Sequence, residues 1–379
     1  MDLSERAIDA LVPSRALRPT TTEEVAAVIG AAHRAREAVV LWGGGTRIGV
    51  GDAPARYDIA LDMGGVRGVV EHSAADLVCT VRAGTTLAEL ASALAPAGQR
   101  WPVDAPLPER ATVGGTIASA APAASRLRHQ HVRDWVIGCE AVLGDGTRAR
   151  AGGRVVKNVT GYDLTRLYSG TYGTLAALTE VSLKLVARDE RALTLRLRDS
   201  DSTRLGDVAL ALRETLPLEA IVLSTIGGPA LYIRAAGGVR AVERAVREAL
   251  VHGRFEDVPD GAWAELLAAP AREAQVARLA VPPGREVELL GEGGHAYVGT
   301  GIAFTLGERS DDELRGLRSR CEAAGGALIL ERATAERKRE LGVWGRSTSE
   351  GATARDLVVR RLKERFDPRG VLAPGRFRA

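Results

Sequence analysis

Apolar positions recur at helical spacing in RPTTTEEVAAVIGAAHRAREA, where Val25, Val28, Ile29 and Ala32 share one face. Thr21 and Glu24 have capping-box spacing, so a helix is predicted to start near Thr22. VVLW follows as a short strand and breaks into the loop GGGTRIGVG. DIALD (58–62) and LVCTV (77–81) read as further strands, and AGTTLAELASAL carries a second capping box, Thr86 to Glu89, ahead of an apolar helix. In VIGCEAVLGDGTRARAGG two alternating runs flank GDG, which predicts a hairpin. LTEVSLKL alternates as a strand, and the first domain is predicted to span 1–187. TLRLR, EAIVLS and ALYIRA then read as strands among the helical runs STRLGDVALALRETL and VRAVERAVREAL, giving a second, α+β module over 188–330. Residues 331–379 read as a helical segment returning to the first domain and ending in FDPRGVLAPGRF.

Composition narrows the function classes. The chain has 379 residues, 45% apolar and 26% charged, which is a folded, multidomain protein. Its 51 Lys+Arg balance 48 Asp+Glu to leave +3, so charge gives no reason to expect a nucleic-acid or membrane-surface partner. Only four of the cations are lysines (157, 184, 338 and 363), and evenly interspersed acids make a coding bias the plainer cause. Cys79, Cys139 and Cys321 lack metal or disulfide spacing and read as buried apolar residues of a reducing compartment. No apolar run approaches the roughly 18 residues of a membrane span, and Asp2, Glu5 and Asp9 interrupt any signal-peptide pattern. A cytoplasmic location is expected, with membrane association only through a complex.

Three glycine-bearing segments could cradle one large ligand. Consecutive glycines in the 43–51 loop let main-chain N–H groups surround a pyrophosphate. An NAD-type site would use Gly43, Gly45 and Gly49 with Asp62, but it needs a helix directly after the glycines, and RIGVGDAPARYD has no helical period. ATVGGTIASAA places Gly114 and Gly115 at a helix start or tight turn. GYDLTRLYSGTYGTLAALTEVSLKL contributes Gly161, Gly170 and Gly173 before a strand. For each glycine the alternative is an ordinary turn.

Taken in order, GGGT (43–46), ATVGGTIAS (111–119), KNVTGYDL (157–164) and GTYGTLAALTEVSLKL (170–185) resemble the FAD-binding domain of the vanillyl-alcohol oxidase, or p-cresol methylhydroxylase (PCMH), family. KNVTGYDLTRL, VRDWVIG and FDPRGVLAPGRF resemble in particular the FAD-binding E subunits of bacterial glycolate oxidases. The likeness covers residues 16–187 and the last dozen, the middle only loosely. It implies an α+β fold: a two-lobed PCMH-type FAD-binding domain, a smaller cap-like α+β domain and a helical tail. It also implies a pyrophosphate loop of Gly43, Gly44, Gly45, Thr46 and Arg47, further flavin contacts at Thr112, Val113, Gly114, Gly115, Thr116 and Ala118, and Leu178 near the adenine. Covalent members present a histidine at the loop where this chain has Thr46 and Arg47, so noncovalent FAD is expected. Lys157 would meet a phosphate, an acid of a neighbouring subunit or solvent.

Two departures bear on activity. Members that oxidise 2-hydroxy acids carry a later histidine-rich segment that holds the substrate carboxylate, whereas this chain has only His252 and His295 there. Ala373 stands where relatives often place an asparagine near the flavin ring. The implied role is an FAD-carrying subunit of a glycolate-oxidising complex, beside a catalytic FAD-containing D subunit and an iron–sulfur F subunit, with no assigned catalytic residue of its own. A self-sufficient FAD oxidase or dehydrogenase for a small hydroxylated substrate and a flavin-free scaffold remain the alternatives. No metal is expected: His129 and His131 could chelate from an extended backbone, but no third ligand is recognisable. Ser125 and Cys139 have no base motif, Tyr162 and Asp163 read as locking the fold or the flavin, and Trp101 and Trp344 read as core.

Overall fold

The computed structural model describes residues 2–153, 162–345 and 350–377, with side chains described from 356 onward in the last stretch. Lys157 and Gly161 lie outside the described residues. Two compact units emerge: 1–121, 131–187 and 346–379 form one, and 122–130 with 188–345 the other.

The first unit holds two main sheets. Arg15–Leu17, Ile59–Asp62 and Val39–Trp42 make a parallel three-stranded sheet with Ile59–Asp62 central. An antiparallel five-stranded sheet runs in the order Val69–Ser73, Val78–Arg82, Ala176–Lys184, Val136–Leu143, Arg148–Gly152. The last two pairs include the predicted hairpin, closed by Leu143 N–H to the Thr147 carbonyl at 2.9 Å. The helix Thr22–Ala35 is capped by the Thr21 hydroxyl, although the Glu24 carboxylate reaches back to Thr20 rather than to Thr21. Its buried face, Val25, Ile29 and Ala32, packs with Ile59 and Leu61 of one sheet and Val142 and Ala177 of the other. The capping box from Thr86 to Glu89 forms in full at the helix Leu87–Leu94.

The chain's end belongs to this unit. The Asp367 side chain is fully buried and accepts from Val371 N at 2.8 Å, Leu372 N at 2.7 Å and Lys363 Nζ at 2.6 Å. Lys363 also donates to the carbonyls of Thr174 and Leu372. This turn lays the tail along Val39, whose N–H meets the Val371 carbonyl and whose carbonyl accepts from Ala373 N, each at 2.8 Å.

The second unit is one eight-stranded antiparallel sheet with helices Ser202–Thr215, Val239–Ala249 and Asp311–Ala323 packed on its apolar face. The division differs from the sequence's in two places. Residues 331–345 stay with the second unit, because Ala327–Arg332 pairs with Val276–Ala280 and Arg318 holds the carbonyls of Leu341 and Gly342. Residues 122–130 join it as well: Arg128 donates to the Ala236 carbonyl at 2.6 Å, and His129 Nε2 lies 3.4 Å from the Glu219 carboxylate. Among the described residues, no helix is long and apolar enough to cross a membrane.

Candidate functional site: a glycine-walled cleft in the first unit

The strand Val39–Trp42 is mostly buried and delivers its C-terminal end directly into the glycine loop. From Gly43 to Asp52 the backbone makes turns and bends without a helix, so the geometry of an NAD-type site is absent. Gly44 is pressed against the neighbouring chain: a Cβ there would lie 1.6 Å from the Arg110 carbonyl oxygen. Only glycine permits that approach. Arg110 Nη2 donates to the Gly44 carbonyl at 3.3 Å and turns the peptide so that its oxygen is engaged. Within the described residues, the N–H groups of Gly44, Gly45 and Thr46 have no protein acceptor.

The second segment contributes differently from expectation. Thr112 caps the short helix Val113–Ala118, and its main-chain donors are already used. Val113 N meets the Thr85 carbonyl, Gly114 N the Ala83 carbonyl, Gly115 N the Thr112 hydroxyl and Thr116 N the Thr112 carbonyl. The segment is therefore a wall rather than a source of N–H donors. Gly114 is needed for the fit, since a Cβ would lie 2.7 Å from that of Ala83.

The third segment seats on the second through Tyr172 N to the Ala118 carbonyl at 2.8 Å and Gly170 N to the Ile117 carbonyl at 3.2 Å. Tyr172 takes φ +53°, an uncommon conformation for a non-glycine residue and one that clusters at ligand sites.

These segments line one open cleft. Eleven of the residues singled out in the sequence line it together: Gly43, Gly44, Gly45, Thr46, Arg47, Thr112, Gly114, Gly115, Ala118, Gly173 and Leu178. Val113 and Thr116 do not; Val113 is fully buried and joins Ile117 in the hydrophobic core. Sequence inspection missed Ser119, Tyr172 and, from the tail, Arg376. Nothing in the local pattern of PGRF marks an arginine that ends up buried. Its guanidinium donates to the carbonyls of Ile48 and Val50, while Nη1 is buried without a protein partner. Burial lowers the guanidinium's pKa from its ordinary value, opposed by the charges of Asp9 and Asp52, and it remains a cation.

The chemistry of this lining is specific. Its charged side chains are Arg47 and Arg376, and no Asp, Glu, His or Cys is among them. Free N–H groups, an unsatisfied guanidinium and apolar walls suit a large anion with flat rings. The family described as "FAD binding domain" matches residues 13–152. The chain is 37% identical over 223 residues to glycolate oxidase subunit GlcE of Escherichia coli, covering 59% of this chain and 60% of that protein. It is 32% identical over 184 residues to glycolate oxidase subunit GlcD of Bacillus subtilis, covering 48% of this chain and 39% of that one. The matches thus span less than two thirds of either relative. In fold it resembles p-cresol methylhydroxylase with substrate bound, at TM-score 0.72 and 16% identity over 96% of this chain and 88% of that one. It also resembles alkyldihydroxyacetonephosphate synthase, at TM-score 0.71 and 15% identity over 96% of this chain and 76% of that one. The fold is thus the PCMH-type α+β fold that the sequence motifs implied.

The remaining candidates have structural duties. Cys139 is buried, and burial pushes its thiol up to about 12, which suppresses any nucleophilic thiolate. His131 caps the turn Val132–Trp135 in a box with Asp134. Asp163 caps the helix Leu164–Tyr168, whereas the neighbouring Tyr162 is 93% exposed. Trp101 is buried.

His295 lies in the core of the second unit beside the rings of Tyr297 and Phe304, with neither ring nitrogen hydrogen-bonded. Burial pushes its pKa down from 6.5 to about 3, so it stays neutral. The unfolded chain binds this proton first, so stability falls as pH drops below about 6.5 and the loss is complete near pH 3. The loss is on the order of 4 kcal/mol. In His295→Leu the acid decline between pH 6.5 and 4 is expected to be shallower by more than half of that, read from urea midpoints; parallel curves for both proteins would refute the assignment.

Proposed function

We propose that this chain is the FAD-carrying accessory subunit of a complex that oxidises a 2-hydroxy acid such as glycolate, with FAD held noncovalently. The reading rests on one observation above all: a cleft with free N–H groups and two arginines whose lining, among the described residues, contains no Asp, Glu, His or Cys. His295, one of the two histidines in the later half of the chain, is sealed inside an aromatic core. The names of the glycolate oxidase relatives support the substrate class and a multi-subunit complex; a catalytic FAD-containing subunit and an iron–sulfur subunit are the partners this reading expects.

Bound FAD would supply a two-electron redox centre. The chain's own part is to bind and orient it: Gly44, Gly45 and Thr46 offer N–H donors, Arg47 and Arg376 positive charge, and Leu178 and Ala118 apolar contact. Thr46 and Arg47 stand where covalent members of the resembled family present a histidine, which supports noncovalent binding.

The test is anaerobic mixing of the purified, FAD-loaded chain with glycolate, alone and with the partner subunits. The flavin absorbance near 450 nm is expected to persist with the isolated chain and to bleach only in the complex. Stoichiometric bleaching by glycolate alone would instead establish a self-sufficient dehydrogenase, and a chain that takes up no FAD would leave only a scaffold.

A further inference from the structure

We infer that Arg376 is the cation that anchors the pyrophosphate of the bound dinucleotide, contributed from the far end of the chain to a loop more than 320 positions earlier. The inference rests on the cleft being the FAD site.

Three observations converge on it. Nη2 of Arg376 donates to the carbonyls of Ile48 at 2.5 Å and Val50 at 2.6 Å, and the Arg376 carbonyl accepts from Asp52 N at 3.2 Å. The segment that directly continues the glycine loop is thus wrapped around this one side chain, so closely that a Cβ at Gly51 would lie 2.8 Å from the Arg376 carbonyl oxygen. Second, Nη1 is buried without a protein acceptor in a residue that lines the cleft. Asp9, Asp52, Tyr57 and Tyr172 are the titratable neighbours that act on it through space, and none bonds to Nη1. A buried guanidinium donor left unmatched is costly, and an anion in the cleft removes that cost. Third, Gly44, Gly45 and Thr46, whose N–H groups are free, line the same cleft, and such consecutive amides suit a diphosphate. A guanidinium whose other nitrogen is already fixed presents its remaining donors in a set direction, which suits phosphate oxygens.

Calorimetric titration of the full chain with FAD, with ADP measured by displacement of FAD, separates the possibilities. If the wild-type chain binds no FAD, the functional reading itself fails. If it does, R376Q is expected to weaken FAD and ADP alike by about 10- to 100-fold, with R376K recovering part of the loss. Unchanged ADP affinity in R376Q, or failure of ADP to displace FAD from the wild type, would overturn the pyrophosphate assignment while leaving the flavin site intact. Should R376Q not fold, R376K carries the comparison, because lysine keeps the charge but lacks the planar fork that binds the two carbonyls through one nitrogen while presenting the other to the ligand. Its ADP affinity is expected to fall at least about threefold, and an unaltered value overturns the inference.

Discussion

Gly44→Ala is expected to abolish measurable FAD binding while leaving most of the fold in place. The added Cβ would lie 1.6 Å from the Arg110 carbonyl oxygen and 2.4 Å from its carbon. Both are main-chain atoms that continue into the capped turn at Thr112, so neither can step aside. The loop must lift away, carrying the N–H groups of Gly44, Gly45 and Thr46 with it. Each hydrogen bond to a charged acceptor contributes about 1.5–3 kcal/mol, so displacing even one or two weakens FAD by about 100-fold or more. Overpacking at an interior contact costs a further 1–3 kcal/mol or so of stability. Gly49→Ala is the control, since a Cβ there meets nothing within 4 Å and the position does not line the cleft. Flavin fluorescence quenching on titration checks both variants: near-normal binding by Gly44→Ala would mean that the loop does not grip the cofactor.

Asp367→Ala carries the largest expected loss of stability. The carboxylate is fully buried and holds Lys363, Val371 N and Leu372 N at once. Its removal strands a largely buried ammonium and two main-chain donors; breaking a buried ion pair in this way costs about 3–5 kcal/mol. At roughly 2–4 °C per kcal/mol, the first unit's melting transition should fall by about 10 °C. Because the Asp367 turn sets Val371 to Ala373 against Val39, the same variant should also weaken FAD by displacing Arg376. The double variant Lys363→Met, Asp367→Ala should recover part of the melting temperature, since it removes the stranded charge. A thermal scan that shows no drop for Asp367→Ala would contradict the clamp.

The first unit was legible in the sequence because its signals are local. Thr21 and Thr86 announce helix starts, GDG announces the hairpin, and VVLW running into GGGT announces a strand that ends in a loop. The glycine segments also met as expected, with Gly44 and Gly115 in one cleft. What the pattern could not convey is which atoms do the work. ATVGG looks like a set of amide donors, yet Thr85, Ala83 and Thr112 consume them, and those partners follow only from how the chain folds back. Arg376 stayed hidden for a related reason: one arginine among many, its importance comes from burial against Ile48 and Val50 far away in sequence. In the second unit, strands such as His295-bearing Gly294–Tyr297 are short, buried on both faces and bounded by glycines, so no alternation marked them. The boundary at 330 failed because Ala327–Arg332 pairs with a strand some 50 positions earlier, a contact no local period records.

A crystal structure of the FAD complex tests the central claim most directly. The diphosphate is expected within hydrogen-bonding distance of Gly44 N, Gly45 N and Thr46 N, with Arg376 Nη1 on one of its oxygens and Leu178 beside the dinucleotide. Cofactor density anywhere outside the cleft bounded by Gly44, Gly115 and Arg376 would contradict it.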